Sequence, residues 1–231
     1  MIEAYIDESG THDESPIVSV ACYAGTPEQW ASFIKDWCSV LKKSGLPYFH
    51  AKDSACDPLR PHLVELIQKI GLRGMVCVLE KSIYENYAND QLRTHLGDAC
   101  SACTFWCVIG VCNWAIKNHK GNVGFFIEAG QSNDDYIENV LKKYMAEENN
   151  LNISSVSLEK KDFPPLTTAD FLSHIYGVND VWRKSIDAIG NHFVAIMTKE
   201  QLEYQSKLIK NAINKQRDIR HALKRQEKSI K

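Results

Sequence analysis

What the chain lacks narrows its class before any motif is considered. It has no basic leader ahead of an apolar stretch: Met1-Ile2-Glu3-Ala4-Tyr5-Ile6-Asp7-Glu8 is acidic where a secretory signal is basic and then apolar. It has no apolar run of the roughly 20 residues that span a bilayer. The longest run, Ala102 to Ile116, is shorter, is interrupted by Asn113, and reads as a buried helix. These two absences predict a cytoplasmic chain with no membrane partner. There is no internal repeat, no low-complexity segment and no linker between domains. There is also little net charge, −2 over 231 residues, so no global basic field announces a nucleic-acid partner. Hydrophobic residues at 44% and charged residues at 24% are the balance of an ordinary globular protein. The length suits one sizeable core.

Cysteine is the exception to this scarcity, with Cys22, Cys38, Cys56, Cys77, Cys100, Cys103, Cys107 and Cys112. A chain of this size does not need a disulfide scaffold, and most of these residues fall inside apolar-periodic segments, so reduced core thiols are expected. Cys100, Cys103, Cys107, Val111 and Trp114 form one stripe at helical spacing. Without a second cysteine pair, this stripe predicts small buried residues, not zinc ligands, even with His95 nearby.

Periodicity and punctuation order the elements. Met1–Ile6 and Pro16–Tyr23 read as strands joined by the polar loop Asp7–Ser15, an antiparallel hairpin. Thr26-Pro27-Glu28-Gln29 supplies a cap, a proline at the first helical position and a capping-box glutamine. Trp30, Phe33, Ile34, Trp37 and Leu41 then follow helical spacing up to Gly45. A second helix is expected from Pro61 to Gly71, a strand over Met75–Leu79, and helices over most of Ser82–Asn118. Val123–Ile127 has no polar alternation, as in a strand covered on both faces. Asn133–Glu148 reads as helix, Ile153, Val156 and Leu158 as strand, and the segment after Pro164-Pro165 as a helix carrying Ala169, Asp170, Leu172 and Ile175. Thr198-Lys199-Glu200-Gln201 is a second capping box, opening a long last helix. Three early strands followed by strand–helix alternation predict an α/β fold. Its mixed sheet is flanked by helices, with a helical insertion between the second and third strands. The α/β domain is expected over residues 1–198 and a basic C-terminal helix or tail over 199–231.

Three acidic residues fall where such folds place their chemistry. Asp7 follows the first strand and Glu128 ends the Val123–Ile127 strand, both at carboxyl ends. Asp170 lies near the start of a helix able to lean over that edge. Carboxylates gathered there repel one another and call for a cation, and their hard oxygens suit Mg²⁺ or Mn²⁺. Such ions activate water for phosphodiester cleavage. Each residue also has an ordinary explanation. Asp7 and Glu8 suit a turn before Ser9-Gly10, Asp170 suits a box opened by Thr167, and Glu128 suits a solvated strand end.

Tyr5-Ile6-Asp7-Glu8-Ser9-Gly10 resembles the opening of a bacterial and phage domain family, DUF3800, placed among RNase H-like folds. Phe49-His50-Ala51-Lys52-Asp53, Phe126-Ile127-Glu128 and Leu166-Thr167-Thr168-Ala169-Asp170-Phe171 agree with it in order. The resemblance implies an RNase H-like fold with Asp7, Glu128 and Asp170 as metal ligands, and His50 or Asp53 contributing to the same pocket. His50 as base or ligand would titrate near neutrality. Two departures stand out. Where the family often has an aspartate followed by a glutamate, this chain has Glu128-Ala129, one carboxylate fewer. Where the family often has glutamine before Ala-Asp, this chain has Thr167-Thr168.

The expected activity is therefore a divalent-metal-dependent nuclease, with Glu8, His50 and Asp53 assisting the three carboxylates. One alternative is a catalytically inactive RNase H-like module that binds nucleic acid or a protein partner. Another is a phosphatase using Asp7 as nucleophile, although Ser9 stands where such enzymes usually carry a second aspartate. From Gln205 to Lys231 there are nine Lys or Arg and two Asp or Glu, a balance of +7 that leaves −9 for the remainder. Lys207, Lys210, Arg217, Arg220, Lys224 and Arg225 are the candidates for contacting nucleic acid, and a solvated basic face is the plain alternative. Leu202, Ile209, Gln216 and Leu223 at heptad spacing also suit a protein partner or self-association through this helix.

Overall fold

The computed structural model describes residues 1–118, 120–130, 137–138, 152–178, 184, 186–187 and 190–207. In these residues the sheet has six strands: β1 (Ile2–Ser9), β2 (Ile17–Gly25), β3 (Arg73–Glu80), β4 (Val123–Glu128), β5 (Ile153–Glu159) and β6 (His192–Met197). Their order across the sheet is β5-β4-β1-β2-β3-β6. Strand β2 is antiparallel to β1 and β3, while β1 with β4, β4 with β5, and β3 with β6 pair in parallel. All strands except β2 therefore end at one edge.

The helices are α1 (Pro27–Ser44), α2 (Arg60–Ile70), α3 (Lys81–Tyr87), α4 (Asp90–Leu96), α5 (Ala99–Lys117) and α6 (Leu166–Gly177), with a 3-10 turn at Ser54–Leu59. The insertion expected between β2 and β3 is α1, the 3-10 turn and α2. Helix α1 starts as its sequence dictates: Thr26 Oγ1 accepts from Gln29 N while Gln29 Oε1 accepts from Thr26 N. It stops at Gly45, whose φ of 76° is open to glycine.

Alternation along the strands divides the core in two. Ile6, Val20, Cys22, Cys77 and Phe125 face α5, whereas Tyr5, Ala21, Tyr23 and Val76 face α1, α2 and α6. Helix α5 is long and apolar enough to cross a membrane by length and composition, and here it lies on the sheet. The stripe Cys100, Cys103, Cys107 and Val111 is buried as expected, with the Cys107 thiol donating to Val20 O at 3.2 Å. All eight cysteines are free, and burial raises the Cys103 and Cys107 pKa values well above the ordinary thiol range.

The structure corrects three expectations. First, β1 does not end at Ile6; it runs through Ser9 because the hairpin ladder continues to Ser9↔Ser19. Asp7 and Glu8 are thus strand residues, and the turn begins at Gly10. A Cβ at Gly10 (φ 80°) would meet Ile17 O at 2.0 Å. Second, Asp170 is not a capping residue: α6 starts at Leu166 with Pro165 as its N-cap, so Asp170 lies beyond the first turn. Third, β6 was not expected, since Phe193, Val194 and Ile196 are all substantially exposed and leave no clean alternation in the sequence. The helix expected over Asn133–Glu148 lies outside the described residues apart from Ile137 and Glu138. The second capping box forms, with Thr198 N donating to Gln201 Oε1 at 2.8 Å. Leu202, just beyond it, is fully buried in the core.

Candidate metal centre

The parallel pairing of β1 and β4 ends at Ile6↔Ile127, so the next residues, Asp7 and Glu128, emerge side by side. Both are 3% exposed. Their carboxyl groups face each other closely enough that Glu128 adds to the cost of ionising Asp7. Burial, then the charges of Glu8, Glu128 and Asp170, push the Asp7 pKa well above the usual carboxylate range. Glu8 contributes to that field from the other side of the strand. Alternation aims it toward α5 and Cys100, whose thiol pKa is raised by burial and then by Glu8.

Asp170 is brought over the same edge by α6, and the loop Phe49-His50-Ala51 holds it there. Ala51 N donates to Asp170 Oδ2 at 2.8 Å. His50 Nδ1 lies 3.4 Å from the same oxygen, buried and making no hydrogen bond. A run of aromatic contacts fixes the loop: Trp30–Phe33, Phe33–Trp37, Trp37–Phe49 and Phe49–Phe171, with ring centroids 5.7, 6.2, 5.8 and 6.2 Å apart. Each such pair contributes about 0.5–1.5 kcal/mol beyond burial. Arg60, only 7% exposed, donates from its guanidinium to Ala51 O at 2.9 Å and meets Asp57 at 3.0 Å. One peptide, Ala51, is thus held by Arg60 at its oxygen while its N–H holds Asp170. Asp53 stands apart from this cluster. It is exposed, and its Oδ1 accepts from Ala55 N at 2.9 Å to cap the 3-10 turn.

Sequence reasoning passed over three residues of this edge. Arg60 is one. Glu159 is another, in register beside Glu128 at the end of β5. The third is Lys161, whose Nζ stands 3.2 Å from Glu128 Oε1. Partial burial acts to lower the Lys161 pKa, but Glu128, Asp7 and Asp170 outweigh it, and the net shift is upward.

Asp7, Glu128 and Asp170 are therefore brought to one place, with His50 beside Asp170. Among the described residues no three His, Cys, Asp or Glu side chains already stand around a single point as a metal would require. The donor chemistry nevertheless fits a hard divalent ion: it is all-oxygen, with Asp7 and Glu128 buried and Asp7 resisting ionisation in the field of its neighbours. A cavity of about 720 Å³ opens on the α5 side, between the turn after β1 and helices α3 to α5. It mixes His12, Lys81 and Arg93 with Asp13, Glu85 and Asp98, so its charge does not select an anion. Of the basic candidates, Lys207 is described and exposed; Lys210, Arg217, Arg220, Lys224 and Arg225 lie outside the described residues, as do Ile209, Gln216 and Leu223 of the heptad.

The sheet order and strand directions make this a mixed six-stranded α/β fold that brings its carboxylates to one edge. No family model matches the chain, and no curated protein matches it. Among solved structures it is similar to RNase HII from Archaeoglobus fulgidus, determined in complex with PCNA. The identity there is 15% and the TM-score 0.45, over 81% of this chain and 78% of that one. It is also similar to Bst-RNase HIII in complex with Mn²⁺, at 16% identity and a TM-score of 0.48, over 82% of this chain and 56% of that one.

Proposed function

We propose that the chain is a divalent-metal-dependent nuclease hydrolysing phosphodiester bonds, with Asp7, Glu128 and Asp170 as the ligands of Mg²⁺ or Mn²⁺. The observation that carries this reading is the pair of buried carboxylates, Asp7 and Glu128, at the carboxyl ends of adjacent parallel strands, with Asp170 leaning over them. A buried acidic cluster of this kind is costly to ionise alone and is neutralised by a cation. When bound, a divalent ion acidifies water and stabilises charge developing on a phosphodiester. Ala51 N orients Asp170, and His50, 3.4 Å from the same carboxylate, would assist it. The basic stretch from Lys207 onward supplies contacts to the nucleic-acid backbone. The four sequence segments shared with DUF3800 support membership of that family.

The test is cleavage of labelled single- and double-stranded DNA and RNA with Mn²⁺ by the parent, Asp7→Ala and Asp170→Ala proteins. Cleavage by the parent alone is expected, together with a Mn²⁺-dependent rise in melting temperature that both variants lose. A parent that binds nucleic acid but neither cleaves it nor binds Mn²⁺ would replace this reading with that of a binding module.

A further inference from the structure

Lys161 is the one described side chain that brings a full positive charge onto the carboxylate cluster, and the backbone delivers it there. Strand β5 ends at Glu159, in register with Glu128, and Ala129 N donates to Glu159 O at 2.8 Å, closing the ladder. Two residues further on, the chain turns: Phe163 N donates to Lys160 O at 3.0 Å, and the Phe163 ring docks 5.7 Å from Tyr5. Lys161 lies between these two anchors, its Nζ 3.2 Å from Glu128 Oε1. Glu128 is 4% exposed at its side chain and Lys161 56%, so the ammonium comes from the solvent side onto a buried carboxylate.

Resting on the metal reading above, we infer that Lys161 supplies the second positive charge of the site, so that the centre takes one divalent ion beside the ammonium instead of two ions. The charges agree. Ionised Asp7, Glu128 and Asp170 carry −3, which one divalent ion and one ammonium neutralise, whereas two ions with Lys161 would leave an excess of +2. The exposed flank of Lys161 also leaves Nζ free to meet a non-bridging oxygen of a bound phosphodiester.

Mn²⁺ titration of the full chain by calorimetry, with free Mn²⁺ followed by electron paramagnetic resonance, tests this on the parent, Lys161→Met and Lys161→Arg. The parent is expected to bind one ion. Removing a neighbouring like charge should let Lys161→Met bind Mn²⁺ about tenfold more tightly, or take up a second ion. Lys161→Arg should behave as the parent. Without metal, Lys161→Met should melt below the parent, because Glu128 loses its counter-charge, and Mn²⁺ should close that gap; a merely structural loss would not be closed. Two ions bound by the parent, or a Lys161→Met titration indistinguishable from the parent's, would overturn the role of Lys161 and leave the metal centre standing. Failure of all three proteins to bind Mn²⁺ would overturn the metal centre itself, and this inference with it.

Discussion

Asp7 has exchanged water for the company of Glu8, Glu128 and Asp170, and its folded-state pKa lies well above the ordinary value of 3.8. Below that value the folded and unfolded states both hold the proton, and the group adds no pH dependence. As pH rises through it, the unfolded chain releases its proton while the fold resists doing so; stability therefore falls until the folded-state pKa is passed. Asp7→Asn should remove this loss. The amide oxygen can still accept from Glu8 N, which donates to Asp7 Oδ1 at 2.7 Å in the parent, and the amide N–H can donate to Glu128. In chelator, the variant should exceed the parent in stability at pH 7, with the difference shrinking toward pH 4. Urea denaturation across that range measures it, and a variant less stable than the parent at pH 7 would show that the carboxylate is satisfied as it stands. The pairing of Asp7 with Glu128 was legible in the sequence because each follows directly on an apolar run, and the parallel pairing of those two runs ends at Ile6↔Ile127. Lys161 was not legible: nothing in Glu159-Lys160-Lys161-Asp162 distinguishes it from Lys160, and only the register of β5 on β4 and the docking of Phe163 on Tyr5 select it.

Elements place the third carboxylate through a chain of contacts that local sequence patterns do not reveal. Thr26, Gln29 and Gly45 announce α1 because a capping box and a left-handed cap act within a few residues. The link from α2 to α6 joins Arg60 to Asp170 through the Ala51 peptide, across more than a hundred residues. Asp53, which motif matching placed in the pocket, is used locally to start the 3-10 turn. Arg60→Met keeps much of the buried stem but strips the charged donors from Ala51 O and Asp57. It should cost about 2–3 kcal/mol of stability. It should also weaken Mn²⁺ binding severalfold, since the peptide that orients Asp170 is released. Arg60→Lys, with a single ammonium in place of the planar fork, should restore only part of either loss. Calorimetric Mn²⁺ titration beside thermal melting separates the two effects. If Arg60→Met melts early yet binds Mn²⁺ as the parent does, Arg60 serves the fold without tuning the site.

At the scale of the whole molecule the charge is divided: the segment from Gln205 to Lys231 carries +7 and the rest −9. A polyanion approaching the carboxylate edge meets a body of its own sign, so attraction must come from the basic end. That end is not cleanly separable at residue 198, because Leu202 is fully buried and Ser206 nearly so. A chain cut before the last helix would leave a hole in the core of the kind that typically costs about 2–5 kcal/mol per large aliphatic side chain. A chain ending at Lys207 keeps Leu202 and Ser206 while removing eight Lys or Arg, Lys210, Lys215, Arg217, Arg220, Lys224, Arg225, Lys228 and Lys231. It should melt within a few degrees of the parent and bind Mn²⁺ unchanged. Its affinity for nucleic acid should fall at moderate salt, and the slope of log affinity against log salt should become shallower by about 0.7–0.9 for each phosphate that is no longer neutralised. Fluorescence anisotropy with a labelled oligonucleotide at several salt concentrations reads both quantities. If the shortened chain keeps the parent's slope, the phosphate-binding groups lie on the body, with Lys161 and its neighbours at the carboxylate edge as the first place to look.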